Sequence, residues 1–171
     1  MAVLGIITGH GFLMNIEIRT ATKTDLPAIV GLMRAFAEYE NLGHYLQVTE
    51  QRLFDAMFGD EAFVHGLMAY HDSRAVAYAM FYPYFASFRG QRGYYLEDIY
   101  IQDEYRRKGI GEAMLKAIAR LAKARGFERL DFQVLEWNTP AVKFYEKMGC
   151  VRDDDERHFK FIDDAFHRLS E

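Results

Sequence analysis

The most constraining feature of the chain is a regular helical segment that begins directly after a loop of cations and glycines. The loop reads YRRKGIG over residues 105–111. Behind it, apolar residues recur every three or four positions, at Ile110, Ala113, Met114, Ala117, Ile118 and Leu121. This spacing places them on one face of an α-helix that ends near Gly126. Because residues 94–101 read as a strand, the sequence predicts a strand–loop–helix unit here.

The rest of the chain supplies further strands and helices, in the overall order βααβββαβαβ. Strands are predicted at 15–19, 63–70, 75–82 and 130–135, and one or two more after Cys150. Helices are predicted to start at the caps Thr24, Thr49 and Asn138. This order predicts an α/β (α+β mixed sheet) fold, in which a central twisted mixed sheet has helices on both faces. No repeat or linker interrupts it, so we expect one domain over residues 14–171, preceded by an N-terminal extension at 1–13.

Charge and composition exclude several classes of function. The net charge is -4 and both signs are spread along the chain, which argues against a nucleic-acid or membrane-surface partner. Cys150 is the only cysteine, so neither an intramolecular disulfide nor a cysteine-based zinc site is expected. The six histidines show no metal-ligand spacing, and no metal is predicted. A reducing, cytoplasmic location and no transmembrane helix fit this composition.

The YRRKGIG loop has the chemistry of an anion site. The N-terminus of a helix offers backbone N–H groups without intrahelical acceptors and the positive end of the helix dipole. Gly109 and Gly111 lack a Cβ, which lets a phosphate approach the backbone. The Rossmann and P-loop patterns are both absent. An isolated Gly-x-Gly also fits a basic turn whose glycines only start the helix, and the loop alone leaves both interpretations open.

Four segments together resemble a known family. The spacing Arg106-x-x-Gly109-x-Gly111 resembles the pyrophosphate loop of the GNAT N-acetyltransferase superfamily. More narrowly, the segments AEYE (37–40), YLEDIYI (95–101), YRRKGIG (105–111) and EWNTPAVKFYEKMG (136–149) resemble the diamine (spermidine/spermine) N-acetyltransferases. The resemblance runs in order from about residue 15 to about residue 165. It implies the GNAT acyl-CoA N-acyltransferase fold, with acetyl-CoA (coenzyme A) as co-substrate.

The resemblance also implies which residues bind the co-substrate. The pyrophosphate site is expected at Arg106, Arg107, Lys108, Gly109, Ile110 and Gly111. The backbone of Ile99, Tyr100 and Ile101 is expected to pair with the pantetheine arm. Asn138 would add a contact beyond its capping role, and Tyr145 would lie beside the coenzyme A sulfur as the general acid for the departing thiolate.

Acetyl transfer to an amine also needs a base, because an alkylammonium has a pKa near 10.4. Glu97 and Asp98 are adjacent carboxylates in an otherwise apolar strand. Neighbouring strand residues face opposite sides, so we expect only one of the two to reach a given cleft. The resemblance favours Glu97. Direct attack in a ternary complex is expected, since no Ser–His or Cys–His arrangement suggests an acyl-enzyme.

The substrate residues implied by the resemblance are Tyr39, Glu40, Glu97, Asp98 and Glu156. An aromatic face beside a carboxylate suits a second ammonium group, although the segment DDDERHFKFID around Glu156 departs from the family pattern. The predicted function is therefore acetyl transfer to a primary amine of a small molecule, a diamine or polyamine. The alternatives are a lysine-analogue or a protein or peptide N-acetyltransferase on the same scaffold, and a non-catalytic acyl-CoA-binding domain.

The resemblance further predicts a homodimer. Phe159 and Phe161 alternate with charged residues, which is typical of a short strand at the end of a sheet that needs a partner edge. Enzymes of the resembled family are homodimers built around this region.

Overall fold

The computed structural model describes residues 3–8 and 15–171, which divide into two compact units, Met1–Gln133 and Val134–Glu171. The strands are β1 (Val3–Thr8), β2 (Asn15–Thr20), β3 (His65–His71), β4 (Arg74–Ala86), β5 (Gln91–Ile101) and β6 (Arg129–Phe132). The helices are α1 (Leu26–Tyr39), α2 (Glu50–Phe58), α3 (Ile110–Ala124), α4 (Thr139–Lys147) and α5 (Asp163–Leu169). The first unit therefore holds all six strands and helices α1 to α3, and the second holds α4 and α5. In the part of the chain that is described, no helix has both the length and the apolar character of a membrane span.

The six strands form one sheet in chain order, β1-β2-β3-β4-β5-β6. All neighbours are antiparallel except β5 and β6, which run parallel. A parallel pair needs a crossover connection, and α3 supplies it between β5 and β6. The predicted mixed sheet is confirmed.

Each face of the sheet packs against a helix. Met68, Tyr78 and Tyr100 are cross-strand partners on one face, where they join residues of α1 and α2 in one buried cluster. The neighbouring set Leu67, Ala79 and Ile99 points to the other face, where α3 packs with its buried stripe. Helices therefore cover both faces, as predicted.

Helix α1 starts differently from the prediction. A single 3-10 turn, Lys23–Asp25, precedes it, and its N-terminal flanking residue is Asp25 rather than Thr24. The buried carboxylate of Asp25 accepts hydrogen bonds from the Thr22 backbone N–H (2.7 Å) and from both outer nitrogens of Arg19 (2.7 Å each). The Thr24 hydroxyl instead forms a hydrogen bond with the Thr22 hydroxyl. The predicted caps Thr49 and Asn138 are confirmed, with bonds from Arg52 N–H (3.2 Å) and Ala141 N–H (3.4 Å).

The hairpin between β4 and β5 is longer than the sequence predicts. β4 continues through Pro83 to Ala86, and β5 already begins at Gln91 after a turn with Gly90 at φ 63°. Proline ordinarily argues against a strand interior. Here β3 pairs with β4 only as far as Phe81, so Pro83 lies where β4 has a partner on one side alone.

The two ends of the chain also differ from the predictions. Residues 150–162 contain no strand, and helix α5 follows them, so the predicted closing strands are wrong. The charged run at residues 152–157 offers no apolar face to a sheet, and Phe159 is 85% exposed. At the other end, the predicted extension contains β1, which pairs with β2. The remaining positions of that extension, 1–2 and 9–13, lie outside the described residues.

Candidate active site

The loop that leads from β5 into α3 leaves the start of the helix open. Arg107 (φ 58°) and Gly109 (φ 81°) both have left-handed backbone conformations, and α3 begins at Ile110. The Ala113 N–H is bonded to the Gly109 carbonyl at 3.0 Å, so the N–H groups of residues 110–112 belong to the first turn, which lacks intrahelical acceptors. A Cβ built on Gly109 would meet no atom within 4 Å. This helix N-terminus therefore offers backbone donors beside open space.

The cationic side chains of this loop differ in their surroundings. Arg106 donates from Nε to the Ile101 carbonyl (2.9 Å), pairs with Asp103 (2.7 Å), and lies 4.2 Å from the ring centroid of Tyr39. Its guanidinium thus ties the loop to the end of β5 and to α1. Arg107 and Lys108 are exposed. The side chain of Ile110 is buried, so only its backbone faces the loop.

A β-bulge brings Glu97 and Asp98 to the same face of the sheet. Met80 of β4 pairs with Asp98, but the next residue, Phe81, pairs with Leu96, so Glu97 is an extra residue in β5. Tyr78 and Tyr82 lie four positions apart on β4 and therefore share a face. Tyr78 OH donates to Asp98 (3.1 Å), and Tyr82 OH donates to Glu97 (3.3 Å).

The expectation that these two carboxylates face opposite sides is therefore wrong. It assumed a regular strand, and the extra residue at position 97 breaks the alternation. Both carboxylates are available to one cleft, Glu97 as an exposed group and Asp98 as a half-buried one.

Burial and neighbouring charges change the acidity of this face. Burial raises the pKa of Asp98 to about 6, and the negative charges of Glu97 and Glu40 add to the rise. Burial, together with Glu97, raises the pKa of Tyr82 to about 12. Burial also raises the pKa of Glu40. The face therefore collects carboxylates with weakened acidity, which suits a cation that neutralises their repulsion.

The predicted pair Tyr39 and Glu40 lies at the end of α1, and the two residues behave differently. Glu40 interacts electrostatically with both Asp98 and Tyr78, so it belongs to the acidic face. The ring of Tyr39 is 38% exposed and faces the Arg106 guanidinium. The structure thus brings together Glu40, Glu97 and Asp98 and places Tyr39 beside the cationic loop.

The backbone of β5 changes its pairing at the bulge. β5 pairs with β6 from Gly93 to Leu96, while on its other edge it pairs with β4 as far as Ile101. Ile99, Tyr100 and Ile101 thus lie beyond the β5–β6 ladder. The Tyr100 ring is buried and stacks on Phe36 at 5.4 Å between centroids, so only its backbone suits a ligand.

The second unit contains the remaining predicted residues. Asn138 caps α4, and Tyr145 lies in the same helix, 5.1 Å from the ring of Phe144. Burial, with a smaller effect of Cys150, raises the pKa of Tyr145 to about 12. Its phenol therefore carries a proton throughout the neutral range. Glu156 is exposed in the irregular segment 150–162.

Sequence reasoning missed the tyrosines that line the acidic face. Tyr78, Tyr82 and Tyr84 recur at even positions in the segment AYAMFYPYF, and this period of two places them on one side of β4. Tyr95 of β5 stacks on Tyr82 at 5.4 Å. The period of two was a usable signal, but the predicted strand ended at Tyr82, whereas β4 continues to Ala86. Within residues 3–8 and 15–171, no three His, Cys, Asp or Glu side chains form a possible metal site.

Comparison with known proteins finds relatives that align with most of this chain. Thialysine N-epsilon-acetyltransferase of Mus musculus is 32% identical over 165 residues, which cover 90% of this chain and 96% of that protein. L-ornithine N5-acetyltransferase NATA1 of Arabidopsis thaliana is 28% identical over 207 aligned positions, covering 95% and 90% of the two chains. An integron cassette protein from the mobile metagenome of V. cholerae has the same fold, with a TM-score of 0.77 at 22% identity over 91% of this chain and 98% of its own.

The family model described as the acetyltransferase (GNAT) family matches residues 28–150, which include the YRRKGIG loop, the β5 bulge and α4. Members of this family use acetyl-CoA as the acetyl donor. The resemblance inferred from the four segments is thereby confirmed: the chain belongs to the GNAT family and is an N-acetyltransferase.

Proposed function

We propose that this enzyme transfers the acetyl group of acetyl-CoA to a primary amine of a small molecule that carries a second cationic group, as a diamine or polyamine does. The observation that carries the proposal is the acidic tyrosine-lined face at the β5 bulge, where Tyr78 and Tyr82 hold Asp98 and Glu97. Such a face favours a substrate with more than one positive charge.

The residues at the start of α3 fit the pyrophosphate of acetyl-CoA. Open space beside Gly109 and the backbone N–H groups of the first turn match an anion that approaches the main chain. Arg107 and Lys108 supply exposed positive charge, and Arg106 keeps the loop attached to β5. The backbone of residues 99–101 would hold the pantetheine arm, and Asn138 would add a contact. Acetyl-CoA supplies an activated acetyl thioester when bound.

Glu97 is proposed as the base that takes the proton from the substrate ammonium, directly or through a water. It is the more exposed of the two carboxylates, and the Tyr82 hydroxyl orients it. Asp98 and Glu40 supply negative charge that keeps the cationic substrate in place. A neutral amine then attacks without an acyl-enzyme, and a backbone N–H of β5 holds the developing oxyanion.

Tyr145 is proposed as the donor to the departing thiolate. Since burial raises its pKa to about 12, the phenol keeps its proton at every pH at which an amine reacts. This role follows from the family position of Tyr145 in α4.

A second candidate substrate is an amino acid with an amine on its side chain. The relatives from Mus musculus and Arabidopsis thaliana are named for thialysine and L-ornithine, and the chain covers most of both. Such substrates share the second ammonium with diamines and add a carboxylate.

A thiol-release assay tests the proposal across polyamines, diamines, basic amino acids, aminoglycosides and peptides. We expect acetyl-CoA-dependent release with small diamines or basic amino acids and none with peptides. Peptide acetylation alone would contradict the small-molecule assignment. Failure to bind acetyl-CoA would contradict the proposed use of this co-substrate.

We also propose that the enzyme is a homodimer, as the resembled family is. Exposed apolar side chains in the second unit, including Val151, Phe159 and Phe166, support this, because apolar groups of this size are usually covered. Light scattering at micromolar concentration should give twice the mass of one chain. The mass of a single chain would contradict the proposal.

A further inference from the structure

An ion pair on β6 continues the acidic tyrosine-lined face. Arg129 donates to both carboxylate oxygens of Asp131, from Nε at 3.1 Å and from Nη2 at 2.8 Å, and Tyr84 OH also donates to this carboxylate. The two charged side chains are each about one-third exposed, at 31% and 34%. The pair therefore presents further N–H donors and carboxylate lone pairs to solvent.

Gly93 leaves the space that this ion pair occupies. It lies between Tyr84 and Arg129 in the sheet, and its φ is not in the left-handed region. A Cβ at this position would come within 2.6 Å of Arg129 Cγ, 2.8 Å of the Arg129 carbonyl and 2.9 Å of the Tyr84 ring. A glycine inside a strand weakens it, and here the missing side chain lets Arg129 lie across β5. A partly exposed ion pair adds little stability in return, which favours a role in binding.

The ion pair lies at a suitable distance from Glu97. Asp131 pairs with Tyr95, and Glu97 is two residues further along β5 on the same face. Strand geometry places the Cα atoms of Asp131 and Glu97 about 8 Å apart. Tyr95 interacts electrostatically with both carboxylates, and its ring contacts Tyr82 at 5.4 Å and Tyr84 at 6.4 Å. These tyrosine rings thus lie between Glu97 and the Arg129–Asp131 pair. The separation matches the length of an extended lysine or ornithine side chain.

We propose that Arg129 and Asp131 bind the α-carboxylate and the α-ammonium of an amino-acid substrate whose side-chain amine reacts at Glu97. This rests on the proposed function and narrows its substrate class. A zwitterionic head group matches an Arg–Asp pair charge for charge, whereas a diamine offers no carboxylate to Arg129. The orientation also fixes the product as the side-chain N-acetyl amino acid.

Matched substrates test the proposal. Lysine and cadaverine differ by the α-carboxylate alone, as do ornithine and putrescine. For the wild type we expect kcat/KM to be higher for the amino acid of each pair. Arg129→Gln should lower kcat/KM for the amino acids on the order of 10- to 100-fold, the scale of a charged hydrogen bond, and leave the diamines within about 2-fold. Lysine methyl ester, in which the carboxylate charge is absent, should respond like cadaverine.

Arg89→Gln is the matched control, because it removes the same charge from the exposed tip of the β4–β5 hairpin. It should leave both substrate classes unchanged. Arg129→Lys keeps the positive charge and should retain part of the preference for the amino acid over the diamine. This variant therefore separates the loss of charge from a loss of folding. Calorimetric titration with lysine and with cadaverine gives the same comparison without turnover.

An equal effect of Arg129→Gln on lysine and cadaverine would overturn the proposal. A wild type that prefers the diamine over the amino acid, in turnover or in binding, would also overturn it, and so would an α-N-acetyl product. In those cases acetyl transfer to the diamine leaves the proposed function standing. If no amine is acetylated, the proposed function fails, and the titration still decides whether Arg129 binds the carboxylate.

Discussion

Two regions of β5, the loop after its C-terminal end and the bulge within it, are proposed to bind opposite charges by different means. After its C-terminal end, the loop to α3 offers an anion mainly backbone N–H groups, and the conformation that Gly109 allows is the main requirement. Around its bulge, Glu97 and Asp98 offer a cation side chains that tyrosines of β4 hold in place. The anion end, which is the YRRKGIG loop with the first turn of α3, depends on local conformation. The cation face, which is the acidic face around Glu97 and Asp98, depends on the register of three strands and on Glu40 from α1.

This difference decides how mutations should act. A change at the anion end should alter co-substrate affinity with little effect on chemistry. A change at the cation face should alter the pH dependence of turnover or the choice of substrate.

Replacement of Glu97 should have the largest effect. Glu97→Gln removes the proposed base, so kcat should fall by about 10²- to 10⁴-fold and the acidic limb of the pH–rate profile should disappear. Glu61→Gln, at an exposed position outside the site, is the control. If the acidic limb persists in Glu97→Gln and is lost in Asp98→Asn, then Asp98 is the base and the division of roles at the bulge is wrong.

Tyr145→Phe should lower turnover by about 10²-fold or more and leave acetyl-CoA affinity unchanged, because only the donor to the leaving thiolate is removed. Single-turnover kinetics and a binding titration measure the two quantities separately. Tyr45→Phe, which changes an exposed tyrosine, should have no effect. Turnover at the wild-type rate where chemistry limits would show that Tyr145 is not the general acid.

Gly109→Val tests the anion end directly. A valine at φ 81° is strained by about 1–3 kcal/mol, and its side chain would occupy the open space beside the loop. Acetyl-CoA affinity should fall by roughly 10- to 100-fold, by analogy with the loss of one or two charge-assisted hydrogen bonds.

Gly126→Val is a matched control, since Gly126 has φ 70° and equally open surroundings after the end of α3. It should lose similar stability and keep its affinity for acetyl-CoA. Equal losses of affinity in both variants would mean that Gly109 acts through folding alone.

The loop before α3 and most helix boundaries could be predicted from sequence, because local signals define them. The apolar spacing of α3, the glycines at 109 and 126, and the caps Thr49 and Asn138 are all short-range features, and the helices start or end at these positions. The cation face could be predicted only in part. The alternation rule failed at Glu97 because a bulge arises from pairing with β4, which the sequence of β5 does not encode by itself. Gly93 and Arg129 escaped notice for the same reason, since two strand pairings bring them together.

The smallest predicted effect concerns stability at the cation face. The pKa of Asp98 is raised to about 6 in the folded protein from an ordinary value of 3.8, so the folded state holds this proton more tightly. The contribution to stability is full below about pH 4 and is lost as the pH rises through about 6. Asp98→Asn should remove this dependence, which is at most about 3 kcal/mol.

Urea unfolding at pH values from 4 to 8 gives the free energy of unfolding of Asp98→Asn and of the wild type. The difference between the two cancels the opposite contribution of Asp25, whose pKa is lowered. Parallel stability profiles for the two proteins would show that Asp98 does not titrate in this range.

The most direct test of the proposed anion site after β5 is an NMR titration of backbone amides with coenzyme A. We expect the largest shifts at residues 107–112, where the loop meets the first turn of α3. The amides of the β4–β5 hairpin around Tyr84 and Gly93 should shift little with coenzyme A and should respond instead to lysine. Saturable coenzyme A shifts that avoid residues 107–112, or no shifts at all, would contradict the assignment of this helix N-terminus as the pyrophosphate site.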